Sequence, residues 1–170
     1  MLGLEPMTSS DGVTIRRELA PGEMGAIAAL HGSLYAAEHG MGPLFEADVA
    51  TGLARAAESG WPGRSGGVWI VEIEDRVAGS MAWTDEGDHA KVRWVLLHPD
   101  LRGRGLARGM LSELLAEAGE AEHELVVLDT FSDLRAAAGM YRSAGFVVVG
   151  SQPHDRWGPT VELQRYELRR

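Results

Sequence analysis

Residues 13–18 alternate apolar and polar side chains, the period-two signature of a strand with one buried face. After Pro21 the period lengthens. Met24, Ile27, Leu30, Leu34 and Tyr35 recur at three- and four-residue steps, which predicts a helix ending at Gly40-Met41-Gly42-Pro43. Phe45, Val49, Leu53 and Ala56 form a second helical stripe, and residues 59–67 (SGWPGRSGG) predict a loop. Beyond it the period returns to two: residues 68–74, 77–84 and 91–98 read as strands joined by turns at Asp75-Arg76 and Glu86-Gly87. Leu106, Met110, Leu111, Leu114, Leu115 and Ala118 line one face of the next helix, with Glu113, Glu117 and Glu120 turned away. Residues 125–128 form the continuous apolar run of a buried strand. Ser132 or Asp133 caps another helix, which stops at Gly145. Residues 146–149 read as a strand, 152–159 as a loop and 161–168 as a last strand.

The order β-α-α-β-β-β-α-β-α-β-β predicts one α/β (α+β) domain: a mostly antiparallel sheet of about seven strands flanked by about four helices, with one parallel crossover. Residues 1–12 are expected to be a flexible start and residues 13–170 the domain.

Composition narrows the chemistry. The 170 residues carry 16 Lys+Arg against 25 Asp+Glu, a formal charge of −9, and no cysteine. That excludes a disulfide framework, thiolate metal sites and a cysteine nucleophile. The acidic balance argues against a nucleic-acid partner, which would need a concentrated basic patch. Without a long apolar run or a basic-then-apolar leader, a cytoplasmic protein with no membrane partner is expected. No metal-ligand spacing appears, so no metal is expected either.

The informative segment is VLLHPDLRGRGLAR, which begins at Val95. A strand ends at Pro99, and a glycine-rich turn opens a helix. Backbone N–H groups at such a turn have no intrahelical partner, and the helix dipole adds positive potential. Gly103 and Gly105 lack a Cβ, which lets a diphosphate approach the backbone. Arg102, Arg104 and Arg108 oppose the dipole at this end, a penalty that a bound polyanion would reverse. A dinucleotide fingerprint needs Gly where Arg108 stands, and the Walker Gly-Lys-Ser/Thr is absent.

Arg102-Gly103-Arg104-Gly105-Leu106-Ala107 resembles the Arg/Gln-x-x-Gly-x-Gly/Ala signature of the GNAT-type N-acetyltransferases, preceded by a similar Leu97-His98-Pro99. Ala137, Tyr141, Gly145 and Phe146 resemble the second signature of that family. One departure is Leu134, at a position where family members often carry asparagine. His31-Gly32-x-x-Tyr35-x-x-Glu38-x-Gly40 and the segment Val161-Glu162-Leu163-Gln164-x-Tyr166-Glu167-Leu168 resemble the acetyltransferase half of MarR-regulator–acetyltransferase fusions. No regulator half, and so no DNA-binding role, is expected in this chain.

The resemblance implies a GNAT-like fold and an acetyl-CoA (coenzyme A) cofactor. Arg102, Gly103, Arg104, Gly105, Leu106, Ala107 and Arg108 would hold its pyrophosphate, with Val95, Leu96 and Leu97 along the pantetheine. Tyr141 matches the family residue that meets the cofactor sulfur; a phenol of pKa about 10 can protonate a thiolate of about 8.5. For the general base, the strand before the turn offers Arg93, Lys91 and His89; arginine and lysine are poor bases, which leaves His89, Glu38 or ordered water. Arg93 is instead expected to anchor an anionic group of the acceptor. His31, Tyr35 and Glu38 on one side, and His154 and Trp157 on the other, are expected to line the acceptor pocket. The function implied is transfer of an acetyl group to a primary amine of a small molecule, directly within a ternary complex. A protein N-terminal or lysine acetyltransferase, a degenerate acyl-CoA-binding module and a homodimer stay open.

Overall fold

A computed structural model describes residues 7–8 and 12–170. The expectation of a flexible start falls largely on residues outside that range. Within it, Met7 and Thr8 form a short strand, β1 (Met7–Thr8), antiparallel to β2 (Val13–Arg16). There follow α1 (Glu23–His39), α2 (Pro43–Glu58), β3 (Gly66–Ile73), β4 (Arg76–Asp85), β5 (Ala90–Leu97), α3 (Leu106–Glu120), β6 (Leu125–Phe131), α4 (Arg135–Ser143), β7 (Val147–His154) and β8 (Val161–Arg169). The expected α/β order stands, with β1 added.

The strands form one eight-stranded sheet in the order β1-β2-β3-β4-β5-β6-β8-β7. Every neighbouring pair is antiparallel except β5 and β6, which the α3 crossover makes parallel. β3 is buried on both faces, and alternate residues feed two cores. Trp69 and Val71 pack with Met110, Leu111 and Leu114 of α3 and with Ala138 and Tyr141 of α4. Val68 and Ile70 pack with Ile27 of α1 and with Phe45, Val49 and Leu53 of α2.

Three local expectations change. α1 buries Ile27, Ala28 and His31, while Met24 is exposed; interspersed glycine and alanine blur its apolar stripe. Gln152, Pro153 and His154 belong to β7, and the β7–β8 loop begins only after them. β7 is an edge strand exposed along almost its whole length, so no apolar alternation marks its end. No side chain of Ser132 or Asp133 caps α4, whose N-cap is Leu134.

Candidate active site

The feature that organises the site is a gap in the sheet. β5 and β6 pair only at Ala90 opposite Val126 and Lys91 opposite Val127. Beyond those pairs no ladder joins them, so residues 92–97 of β5 turn one backbone edge toward open space. A bulge lies in the same stretch: Ser80 pairs with Leu96, yet Ala82 pairs with Arg93, so β5 carries an extra residue. Trp94 there has φ 49°, a strained value for a bulky side chain. Ser80 Oγ donates to the Trp94 carbonyl at 2.6 Å, and the Trp94 ring lies 4.9 Å from that of Trp61. The surrounding structure therefore holds the strain in place, and Val95, Leu96 and Leu97 are set along the gap.

At the C-terminal end of β5 stands the glycine turn. Pro99–Leu101 forms a single 3-10 turn anchored by the buried Leu101, and Gly105 is the N-cap of α3. Gly103 (φ 74°) and Gly105 (φ 79°) are left-handed, and a Cβ built on either would meet nothing within 4 Å. The concavity is open to a ligand rather than filled by protein. Gly103, Gly105, Leu106, Ala107 and Arg108 donate no backbone hydrogen bond to a backbone carbonyl of the described residues. These features fit a polyphosphate.

Tyr141 and Tyr35 approach the gap from opposite layers. Tyr141, 4% exposed, comes from α4 and packs its ring 5.9 Å from Phe146 and 6.0 Å from Tyr166. Its hydroxyl makes no hydrogen bond among the described residues. Burial raises its pKa well above that of a free phenol, and the nearby Tyr35 and Tyr166 add to the effect. Tyr35, from α1, lies over Phe45 at 4.4 Å and edge-on to Phe131 at 5.8 Å. Burial, and then the Glu38 charge, push its pKa up to about 12, against the opposing pull of Arg102.

Glu38 sits in a fork. Arg102 Nη2 and Nη1 donate to its two carboxylate oxygens at 2.8 and 3.0 Å, while Arg102 Nε donates to the Leu97 carbonyl at 3.0 Å. The Arg102 guanidinium holds the Glu38 carboxyl below the usual carboxylate range. Both Glu38 oxygens are engaged by Arg102, and the lowered pKa weakens the carboxylate as a proton acceptor. Arg102 thus places three of its donors on protein oxygens, with its side chain still 44% exposed. His89 lies in the β4–β5 connection, its Nδ1 2.6 Å from Asp88 Oδ1, on the surface turn that joins the strands.

The acceptor-side residues separate into two groups. His31 is buried, spends its Nδ1–H on the Ile27 carbonyl at 2.8 Å and stacks 6.0 Å from Tyr35; burial lowers its pKa to about 4. Trp157 packs edge-on to Phe45 at 5.1 Å and donates its indole N–H to Asp48 at 2.9 Å, while its carbonyl accepts from Gly42 N–H at 2.7 Å. The His154 ring lies 4.2 Å from that of Trp157, tilted by 57°, with its Nε2 buried and unpartnered among the described residues. Arg93 is different. Its side chain is 29% exposed, its guanidinium makes no hydrogen bond among the described residues, and Glu86 approaches no closer than 3.8 Å. It lies over the Trp94 ring at 4.7 Å and borders a cleft of about 590 Å³ lined also by Asp48, Gly52, Arg55, Asp85 and Glu86. Burial works against its charge, and Glu86 and Asp129 restore part of it. Asp48, not anticipated from sequence, binds Arg156 through both oxygens at 2.9 Å. The signal was present, since Asp48, Gly52 and Arg55 share the face of α2 beside the apolar stripe.

Comparison with known proteins gives the family and supports the fold. The acetyltransferase (GNAT) domain family matches residues 64–148, half of the chain, which therefore belongs to it. Human N-acetyltransferase 8B is 30% identical over 101 residues, covering 56% of this chain and 44% of that protein. The L-amino acid N-acyltransferase MnaT of Escherichia coli K12 is 35% identical over 82 residues, 47% of this chain and 48% of its own length. The matched stretch thus spans less than half of each relative. Among solved structures, yncA of Salmonella typhimurium with its cofactor acetyl-CoA superimposes with a TM-score of 0.71, at 22% identity, over 93% of this chain and 94% of that one. No helix among the described residues is long and apolar enough to cross a membrane.

Proposed function

We propose that this chain is an acetyl-CoA-dependent N-acetyltransferase of the cytoplasm, and that its acceptor is the primary amine of a small molecule carrying a carboxylate. The observation that carries the reading is the gap between β5 and β6, which has the glycine turn at one end and the β5 bulge along its side. When bound, acetyl-CoA supplies an acyl thioester. Backbone N–H groups of residues 95–97 lie along the gap, and one aimed at the thioester oxygen contributes about 3–4 kcal/mol of the kind measured for oxyanion donors. The amine nitrogen bonds to the acyl carbon as the carbon–sulfur bond breaks. Tyr141, whose raised pKa keeps it protonated, would hydrogen-bond to the departing sulfur and relay to it a proton drawn from water, and the proton of the amine would leave through water. No cysteine is present to carry the acyl group, which supports direct transfer.

The carboxylate requirement rests on Arg93, a half-buried guanidinium without a hydrogen-bonded protein partner. The name of the E. coli relative, an L-amino acid N-acyltransferase, points the same way. The test is thiol release from acetyl-CoA with a panel of amino acids, their amides, simple alkylamines and lysine- or N-terminus-bearing peptides. Turnover should favour free amino acids over their amides. Preference for peptides would replace the small-molecule reading, and micromolar CoA binding without turnover of any acceptor would leave only a binding module.

A further inference from the structure

We propose that Glu38 is a positioning residue that couples the acceptor-side helix α1 to the cofactor turn, acting through Arg102 on the Leu97 carbonyl. The proposal rests on the reading that this turn binds the phosphates of acetyl-CoA.

Three hydrogen bonds carry it. Two join Glu38 to the Arg102 fork, at 2.8 and 3.0 Å, and the third runs from Arg102 Nε to Leu97 O at 3.0 Å. Arg102 is the residue at which the 3-10 turn hands over to the glycine turn, and Leu97 is the last residue of β5. One guanidinium therefore fixes the end of the strand and the entry to the phosphate turn together. A bidentate carboxylate sets the plane of that guanidinium, which a lone backbone carbonyl cannot do. Glu38 belongs to the last turn of α1. The helix ends at Gly40, and the following Gly42 N–H is bound to the Trp157 carbonyl at 2.7 Å. A continuous path thus runs from the β7–β8 loop through the α1–α2 junction to Glu38, Arg102 and the rim of the gap. Neither end of the path touches reacting atoms. Its effect is on where the cofactor turn sits, and so on how tightly coenzyme A is held.

The experiment uses the full chain carrying Glu38→Gln, Glu38→Asp or Arg102→Lys, with CoA binding measured by calorimetry and kcat and KM measured from pH 6 to 9. Glu38→Gln should weaken CoA binding and raise the KM for acetyl-CoA by about five- to tenfold. Its kcat should change less than twofold, and the midpoint of the pH profile should not move. Glu38→Asp should fall between wild type and Gln. Arg102→Lys should match Glu38→Gln, and the double variant should be no worse than either, since both remove one linkage. A hundredfold loss of kcat with a displaced pH midpoint would instead make Glu38 the general base. Unchanged CoA affinity in Glu38→Gln and in Arg102→Lys would overturn the coupling. If Gly105→Val also left CoA affinity unchanged, the cofactor reading of the turn would fall with it.

Discussion

In the proposed reading the gap has a cofactor bank and an acceptor bank, and the two are built from different materials. The cofactor bank is mostly backbone: a bulged strand edge, two left-handed glycines and the unpaired N–H groups at the start of α3. The acceptor bank is mostly side chains, with Tyr35 over Phe45, Trp157 held by Asp48, and Arg93 facing a cleft under α2. Backbone donors are fixed by chain geometry and suit a ligand that does not vary. Side chains can be exchanged without disturbing the fold, so they suit the partner that differs between relatives. Tyr141 stands where the banks meet.

This contrast can be broken by mutation, and the largest effect should come from the meeting point. Tyr141→Phe should lower kcat about a hundredfold with either KM little altered, as expected for loss of a positioned proton donor. Because its hydroxyl bonds to no described residue, urea unfolding should show unchanged stability. A full kcat in this variant would remove Tyr141 from the reaction.

Next comes the backbone bank. Gly105→Val imposes a left-handed conformation on a β-branched residue and puts methyl groups where a phosphate would approach. Calorimetry should show CoA affinity reduced tenfold or more, whatever acceptor is present. On the side-chain bank, Arg93→Leu should raise the KM for a carboxylate-bearing amine about tenfold, the scale of a lost charge-assisted hydrogen bond. The same change should leave CoA affinity and the KM for a neutral amine alone. If Arg93→Leu raised every KM equally, the division into two banks would be wrong.

The smallest effect on turnover is expected at His31, which is buried and bonded to the Ile27 carbonyl. Its contribution lies in stability. The folded-state pKa of about 4 is below the unfolded value near 6.5, so the unfolded chain takes up the proton more readily. The contribution is complete above pH 6.5, falls as the pH drops toward 4 and is constant below that. Its size is up to about 3 kcal/mol for a shift of this order. Urea unfolding across that window should show a shallower pH slope in His31→Leu than in the wild type.

The same division explains what was legible in the sequence. Glycines, a proline and a change of apolar period announced the cofactor turn, because backbone conformation is encoded locally by residues such as Gly103 and Gly105. The buried stripe of α2 was legible for the same reason. The partnership of Glu38 with Arg102 was not, since it joins residues 64 apart that meet only once α1 lies against the sheet. Local pattern offered Glu38 as a base and Arg102 as a phosphate ligand, and gave no sign that the two side chains meet. The end of β7 was missed for a related reason: an exposed edge strand buries no alternate face and leaves no period to read.

The gap also has a mechanical consequence. Two residue pairs hold β5 to β6, whereas β6 is laced to β8 along its whole length. The sheet is therefore two stiff leaves sharing a short seam, and a load applied across it concentrates on the bonds at Ala90 and Lys91. A ligand lying along the gap would act as a second rivet. Under single-molecule tension between β3 and β7, the leaves should part at the seam first, and saturating CoA should raise the force at which they do.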